Sequence, residues 1–384
     1  VYLMTGVAHL ARLSHDESKR QDCLRLWNNM AQRQLYITGG IGSQSSGEAF
    51  SSDYDLPNDT VYAESCASIG LMMFARRMLE MEGDSQYADV MERALYNTVL
   101  GGMALDGKHF FYVNPLEVHP KTLKFNHIYD HVKPIRQRWF GCACCPPNIA
   151  RVLTSIGHYL YTPREDALYI NIYAGNSMEV PVENGTLRLR VSGNYPWQEQ
   201  VTIAVESPQP VRHTLALRLP DWCIQPQIIL NGEEVEQDIR KGYLHITREW
   251  QEGDTLNLTL PMPVRRVYGN PLVRHVAGKV AIQRGPLVYC LEQADNGESL
   301  HNLWLPTDAP FMTFDGKGLF RHKILIQAPG YRCEQSNPEQ QPLWHYDYAP
   351  AKRQPQTLTF IPWFSWANRG EGEMRIWVNE ETSA

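Results

Sequence analysis

The sequence predicts a multidomain α+β protein in which a helical domain precedes one or two β-sandwiches. Apolar residues recur at helical spacing over roughly the first 160 positions. After Tyr161 they alternate with polar residues, as in strands with one buried face. The chain has 384 residues, 43% hydrophobic and 20% charged, which suits two or three globular domains. We assign 1–163 to the helical domain, 164–270 to a β-sandwich and 271–384 to a second β-sandwich or β-rich region.

Helices are predicted from the first residue onward. Positions 1–11 have helical apolar spacing but neither an initiator Met nor a secretion signal, so we expect a fragment that begins inside a helical domain. Positions 64–81 and 85–100 predict a helical hairpin around Gly83-Asp84. Such hairpins, when repeated, suggest an all-α toroid. The segment 16–34 is a further predicted helix, with an apolar face made by Cys23, Leu24, Leu26, Trp27 and Met30.

A long loop interrupts these helices. Positions 38–60 are rich in Gly, Ser and Asp and are too many for a simple connector. Loops of this length in compact domains are usually functional, and this one contains Glu48.

The second half of the chain reads as strands. Alternating apolar residues predict strands at 168–173, 187–191, 201–205, 215–219 and 254–260. The segment 228–233 adds a hairpin signal, because Asn-Gly favours a tight turn between two strands.

Three of the eight cysteines lie within 141–148, and Glu64 and Cys66 precede them in the chain. A thiolate at neutral pH needs a positive neighbour, which a bound zinc ion supplies. Adjacent cysteines such as Cys144 and Cys145 cannot readily form a disulfide with each other. We therefore predict a zinc–thiolate site made by Glu64, Cys66, Cys144 and Cys145, with the cysteines at the start of a helix.

The ligand charges suggest what such a site would do. Three thiolates and a carboxylate around a divalent ion leave a net charge of about −2, which makes a poor Lewis acid. Its better use is to hold a thiolate ready as a nucleophile. Cys142 is a further ligand or a neighbouring thiol. The alternatives are buried or disulfide-bonded cysteines and a purely structural zinc ion.

A nucleophilic thiolate that attacks carbon needs a proton donor for the leaving group, and Glu48 is our candidate. On local grounds Asp53, Asp55 and Asp59 compete with it. Aromatic rings stack on sugar faces, and Tyr112 has a polar tip next to loop residues. His127 and His131 are weaker candidates for binding hydroxyls or metal.

Charge and hydropathy limit the partners. The net charge is −6 and no block of Lys and Arg stands out, which argues against nucleic acid and anionic membranes as partners. No apolar run approaches the roughly 18 residues of a membrane span. Adjacent reduced thiols favour a reducing compartment, so we expect a cytoplasmic location. A homodimer is compatible with the sequence.

Six segments together resemble glycoside hydrolase family 127, the β-L-arabinofuranosidases: 36–43, 47–50, 62–67, 142–148, 284–289 and 361–370. The resemblance implies an (α/α)6 barrel followed by β-sandwiches, and retaining hydrolysis of an oligosaccharide or glycoconjugate. It implies that Cys144 is the zinc-bound nucleophile and Glu48 the acid/base. Glu64, Cys66 and Cys145 would complete the metal site, and Tyr112 would contact the substrate.

The chain departs from this family at its start. Family members carry a long stretch of barrel helices before the point that corresponds to Val1, and that stretch contributes histidines to the sugar site. We therefore expect 1–163 to be the C-terminal part of a barrel. The expected activity is release of a terminal β-L-arabinofuranose or a related sugar. The alternatives are a sugar epimerase on an α-toroid and a non-catalytic carbohydrate-binding protein with structural zinc.

Overall fold

A computed structural model describes residues 1–164, 167–182, 185–334, 343–344 and 352–381. Within these ranges, long helices lie in the first 160 residues and sheets make up most of the rest. The prediction of a mixed α+β protein with a sheet-rich C-terminal part is confirmed. The predicted domain end at 384 lies outside the described residues.

The helices follow the predicted order. They are α1 (Tyr2–Ser14), α2 (Glu17–Arg33), α3 (Ser65–Glu82), α4 (Ser85–Ala94), α5 (Pro120–Leu123), α6 (Cys145–Thr154), α7 (Gly157–Leu160) and α8 (Gln293–Asn296). A π-helical turn, Leu95–Val99, continues α4. The carboxylate of Asp84 caps α4 by accepting from the backbone N–H of Gln86 at 3.1 Å. Gly83 ends α3 at φ 64°, so the predicted hairpin is confirmed.

The helical core forms around Trp27. Its ring meets those of Phe74 and Tyr87 edge-on, with centroids 5.5 and 4.8 Å away. Leu26, which we predicted on the same buried face, is 45% exposed. That prediction was wrong because Leu26 lies about 100° around the helix from Trp27, beyond the stripe that packs on α3.

The middle of the chain forms two sheets. Residues 161–259 contain β2 (Tyr161–Pro163), β3 (Leu168–Ile170), β4 (Asn176–Val182), β5 (Gly185–Gly193), β6 (Gln200–Val205), β7 (Val211–Arg218), β8 (Gln227–Leu230), β9 (Glu233–Glu234), β10 (Ile239–Arg240), β11 (Tyr243–Trp250) and β12 (Thr255–Thr259). One sheet has the order β4-β5-β6-β12-β8-β9 and the other β10-β11-β7-β3-β2. The predicted strands are present, and Asn231-Gly232 closes the β8–β9 hairpin with φ values of 52° and 92°.

The remaining strands form one large sheet. They are β1 (Glu117–Val118), β13 (Val264–Val267), β14 (Lys279–Arg284), β15 (Leu287–Glu292), β16 (Leu303–Pro306), β17 (Met312–Asp315), β18 (Ile324–Glu334), β19 (Lys352–Pro362), β20 (Met374–Arg375) and β21 (Val378–Glu381). The order is β1-β20-β15-β19-β18-β16-β21-β14-β13, with β17 on β18. A further β14–β15 pairing curls the sheet back on itself. The short strand β1 attaches the helical part to this sheet through β20.

A buried charge cluster joins α4 to the middle sheets. Arg218 at the end of β7 is fully buried, and its guanidinium lies 2.6 Å from both Asp89 and Glu92 on α4. The indole N–H of Trp222 also donates to Glu92, at 2.9 Å. Among the residues that the structure describes, none of the helices combines the length and apolarity that crossing a bilayer requires.

Candidate active site

Two helix N-termini meet at the predicted site. Glu64 immediately precedes α3 and Cys66 lies in its first turn, while Cys144 precedes α6 and Cys145 is its first residue. The prediction that the thiols lie at a helix start is confirmed. Pro146 and Pro147 follow, and proline suits a first turn because the N–H groups there have no partner within the helix. Both helix dipoles therefore present their positive ends to these side chains, which favours their anionic forms.

The four side chains are close enough to share one ion. One donor atom from each of Glu64, Cys66, Cys144 and Cys145 lies within 4.8 Å of the others. The Cys144 and Cys145 sulfurs are 3.7 Å apart, and Glu64 Oε1 lies 3.3 and 3.5 Å from them. A tetrahedral zinc ion would separate two sulfurs by about 3.8 Å, and sulfur from oxygen by about 3.5 Å. This cluster can hold a metal ion.

The pKa values of the three cysteines also favour a bound cation. Burial raises the pKa of Cys144 to about 12. The hydrogen bond between Cys66 and Cys145, reinforced by burial, raises the pKa of Cys145. The same hydrogen bond lowers the pKa of Cys66 to about 7, against the opposing effect of burial. Without a cation only the Cys66 thiol is near ionisation at neutral pH, so three thiolates need added positive charge. All eight cysteines are free, and the cluster is not disulfide-bonded.

Glu48 lies near this cluster. The Cys144 thiol donates to the Tyr112 hydroxyl at 3.2 Å, and that hydroxyl donates to Glu48 Oε1 at 3.5 Å. The Tyr62 hydroxyl donates to the same oxygen at 2.9 Å. The Glu48 carboxylate and the Cys144 sulfur therefore lie within about 7 Å, near the roughly 5 Å that separates the reacting groups of a retaining glycosidase.

Two local features bring Glu48 and Tyr112 to this position. A tight turn between Gln44 and Ala49 holds Glu48 at φ 49°, with its side chain exposed at the cavity mouth. Glu64 forms a bridge with Val113, and the Ser65 N–H donates to the Tyr112 carbonyl at 2.9 Å. The segment that carries Tyr112 is thereby held beside the start of α3.

A cavity of about 700 Å³ opens over the cluster. It is lined by Glu48, Tyr112, the thiols of Cys66, Cys142 and Cys144, and by Tyr2, Asn148 and Arg151 among others. The Asn148 amide donates to the Tyr2 hydroxyl at 2.6 Å, and this hydroxyl donates to the Cys66 carbonyl at 2.7 Å. Cys142 is exposed and lies in this lining.

Sequence reasoning missed several of these side chains. Tyr62, Tyr2, Asn148 and Arg151 carried no assigned role. Two signals would have found some of them: Tyr62 is two positions before Glu64 on an extended segment, and Asn148 and Arg151 follow Cys144 at helical spacing.

The competing candidates lie elsewhere. Asp53 pairs with Arg33, Asp55 with Arg274, and Asp59 accepts from Tyr129, each at 2.8 Å. His127 is 95% exposed, and His131 Nε2 lies 3.1 Å from the Thr60 carbonyl. None of these five side chains lines the cavity over the cysteines. The structure thus brings Glu48, rather than a neighbouring aspartate, to the thiols.

Sequence models of one enzyme family match along the chain. The β-L-arabinofuranosidase GH127 catalytic domain matches residues 3–158. The GH127 middle domain of the same enzymes matches 167–262, and the C-terminal domain of glycoside hydrolase family 127 matches 264–379.

Individual proteins match over nearly the whole chain. A non-reducing end β-L-arabinofuranosidase of Bifidobacterium longum subsp. longum is 39% identical over 386 aligned positions, which cover 98% of this chain and 58% of the relative. A solved GH127 β-L-arabinofuranosidase from Geobacillus stearothermophilus T6 has 48% identity and a TM-score of 0.94, covering 98% of this chain and 59% of the other. A solved GH127 β-arabinofuranosidase has 33% identity and a TM-score of 0.89, covering 99% and 59%. The chain thus spans less than two thirds of the length of these relatives.

Proposed function

Because the chain belongs to glycoside hydrolase family 127, we propose that it is a retaining exo-glycosidase that releases terminal β-L-arabinofuranose or a related sugar. The substrate is an oligosaccharide or a glycoconjugate. A similar curated protein is named as a non-reducing end enzyme, which supports exo action. The observation that carries the proposal is that the Glu48 carboxylate and the Cys144 thiol share one cavity and contact the same Tyr112 hydroxyl.

In the first step, Cys144 Sγ attacks the anomeric carbon as a thiolate. A C–S bond forms while the bond from that carbon to the glycosidic oxygen breaks, and the carboxylic acid of Glu48 gives its proton to the departing oxygen. The leaving alcohol is then neutral. Sulfur replaces the second carboxylate that most retaining glycosidases use.

In the second step, the Glu48 carboxylate takes a proton from water as that water attacks the anomeric carbon. The new C–O bond forms as the C–S bond breaks, so Cys144 returns to its thiolate and Glu48 to its acid form. Two inversions at one carbon retain the configuration. Tyr112 lies between the two groups, and we assign it a contact with the sugar.

Glu64, Cys66, Cys144 and Cys145 would hold the ion, which we propose to be Zn²⁺. When bound, it supplies the positive charge that keeps the thiols ionised. The thiolate-rich donor set favours a thiophilic ion over a hard cation such as Mg²⁺.

We also propose that the helical part is the C-terminal portion of an (α/α)6 barrel. The antiparallel hairpin of α3 and α4 and the packing of α1 on both α2 and α3 support this. The domain boundaries near 163 and 270, the homodimer and the cytoplasmic location stay predictions. The strand β2, which ends at the first boundary, pairs with β3 of the middle sheets.

The two alternatives explain the site less well. A sugar epimerase would need paired general bases such as histidines, and the described residues that line this cavity include none. A carbohydrate-binding protein with structural zinc would not need a carboxylate beside Cys144, yet Glu48 lies there. Sugar NMR after incubation separates the three, because an epimerase isomerises the substrate and a binding protein leaves it unchanged.

The mechanism is tested with an aryl β-L-arabinofuranoside and two variants. Cys144→Ser and Glu48→Gln should each lower kcat by at least about 10³-fold, because each removes a group that acts in the transition state. The matched control is Cys333→Ser, because Cys333 is a half-buried thiol on β18. This variant should leave kcat unchanged. Normal turnover by Cys144→Ser would eliminate the thiolate mechanism.

A further inference from the structure

Among the described residues, a second group of side chains that could hold a metal ion lies outside the cysteine site. His119, His301 and Glu373 each offer one donor atom, and these atoms lie within 4.8 Å of one another. His119 follows β1 of the helical part. The other two residues come from the large C-terminal sheet region, His301 from a 3-10 turn (Leu300–Asn302) and Glu373 from the segment before β20.

Backbone pairing brings His119 and Glu373 together. In the antiparallel pair of β1 and β20, Glu117 lies opposite Arg375 and Val118 opposite Met374. The next position outward along this register places His119 opposite Glu373. This juxtaposition follows from strand pairing and does not depend on side-chain rotamers.

Hydrogen bonds attach the turn that carries His301 to Glu373. The Glu373 carboxylate accepts from the backbone N–H groups of Ser299 and Leu300, at 3.1 and 2.8 Å. These N–H groups lie at the start of the 3-10 turn that carries His301. Glu373 therefore holds His301 nearby, and its oxygens retain lone pairs for an ion because each accepts one of these bonds.

The His119 ring is oriented by a second carboxylate. Glu117 Oε1 lies 2.8 Å from His119 Nε2, which leaves one ring nitrogen as a ligand. Histidines that bind metals commonly donate their other nitrogen in this way. The nearby positive charge of Arg375 is partly offset by Glu117, which lies 3.7 Å from its guanidinium. Lys279, a second cation near Glu117, donates to the His275 carbonyl at 3.0 Å.

We propose that His119, His301 and Glu373 bind one divalent transition-metal ion, such as Zn²⁺, which joins the helical part of the chain to its C-terminal sheet. Two imidazoles and a carboxylate suit this class of ion, and three protein ligands leave one position for water. Bound ligands would lie about 3.4 Å apart in a tetrahedral site. The exposed His301 side chain can turn inward to close the remaining gap.

The experiment is equilibrium dialysis of the full chain against Zn²⁺, with bound metal counted by mass spectrometry. We expect the wild-type chain to bind two ions and His301→Ala to bind one. Glu117→Gln, which keeps the ligands but loses the orienting carboxylate, should weaken the second site by about 10–100-fold. His127→Ala is the matched control: it removes an exposed histidine outside both clusters and should bind two ions.

Cys66→Ser assigns the two ions to their sites. This variant should lose the ion held by the thiolates and keep the one held by the histidines, because the two sites share no ligand. Equal Zn²⁺ binding by wild type, His301→Ala and Glu117→Gln would overturn the proposal. Binding of a single ion that Cys66→Ser abolishes would also overturn it, and would leave the proposed glycosidase mechanism untouched.

Discussion

Tyr112 and Tyr62 determine how Glu48 faces the thiols. Burial, reinforced by the hydrogen bond with Cys144, raises the pKa of Tyr112, and burial with the Glu48 hydrogen bond raises that of Tyr62. Both hydroxyls therefore stay protonated in the neutral range and act as donors to Glu48. Two donors on one oxygen hold a carboxylate that would otherwise rotate freely on an exposed loop.

We infer from its hydrogen bond to Glu48 that Tyr62 is a positioning residue, and this role can be tested by itself. Tyr62→Phe removes the 2.9 Å bond to Glu48 while keeping the ring, and we expect kcat to fall by about 10–100-fold with little change in KM, because misplaced reacting groups lose rate. Steady-state kinetics with an aryl β-L-arabinofuranoside measure this split. Tyr268→Phe is the control, because it removes a 3.0 Å bond to Glu380 outside the cavity lining. A rise in KM at constant kcat would instead assign Tyr62 to ground-state binding of the sugar.

At the scale of elements, the site depends on how helices and the long loop pack. Gly39, near the start of that loop, has φ 77°, and a Cβ atom there would lie 2.5 Å from Ala94 Cα on α4. Glycine therefore allows the loop to rest directly on the helix. The Ser68 hydroxyl of α3 donates to the Gly39 carbonyl at 3.2 Å, so the loop that carries Glu48 is attached to the helix that carries Cys66.

The junction between α4 and the middle sheets rests on Arg218. Its guanidinium is surrounded by Asp89 and Glu92, which were brought out of water by folding. Burial raises the pKa of Asp89 to about 7, and Arg218 opposes this shift. Removing the arginine leaves two carboxylates without their charge partner in a poorly solvated place.

Arg218→Ala should therefore lower the free energy of unfolding by about 3–5 kcal/mol, the cost of breaking a buried ion pair. Urea unfolding followed by tryptophan fluorescence measures the change. Arg188→Ala is the matched control on β5: its partner Glu179 is 2.8 Å away, close to the 2.6 Å of the Arg218 pairs, but both side chains are about half exposed, so a loss of about 0–1 kcal/mol is expected. Equal losses in the two variants would contradict the argument from burial.

At the scale of the whole molecule, the described residues that line the cavity over the cysteines all belong to the helical part. These lining residues fall between Val1 and Arg151. The contacts between this part and the sheets include β1 with β20, the π-helical turn with β15, and α4 with Arg218 of β7. A metal at the cysteine cluster would connect α3 to α6 within that part. In the mechanism that we propose, the sheets contribute to stability and supply neither of the two reacting groups.

Metal removal tests this connection. Chelation should abolish activity and lower Tm, and Zn²⁺ should restore both, because an ion present at about 100 times its Kd stabilises the folded chain by about 2.7 kcal/mol. Calorimetry with and without chelator measures the shift. In the His301→Ala variant, which lacks the second proposed site, the change in Tm on chelation comes from the thiolate cluster. Adding Cys66→Ser to that variant should leave little response to chelation. Full activity after complete removal of the metal would contradict the proposed role of the ion.

The sequence by itself determined the elements and much of the chemistry. Helical spacing before Tyr161 and alternation after it, the helix start at Cys144-Cys145 and the Asn231-Gly232 hairpin all depend on residues a few positions apart, so local rules predict them. The cysteine cluster indicated metal chemistry because adjacent thiols have few other uses. The resemblance to a family, rather than spacing, selected Glu48 from among its neighbours.

Only the tertiary structure decided which side chains meet. Glu48 and Cys144 lie on different elements far apart in the chain, and their approach depends on the packing of α3, α6 and the long loop. The same holds for Tyr62 beside Glu48 and for His119 opposite Glu373. A sequence pattern reports the environment of each residue along its own element, whereas a site is a set of distances between elements. Those distances arise only when the buried surfaces are packed together.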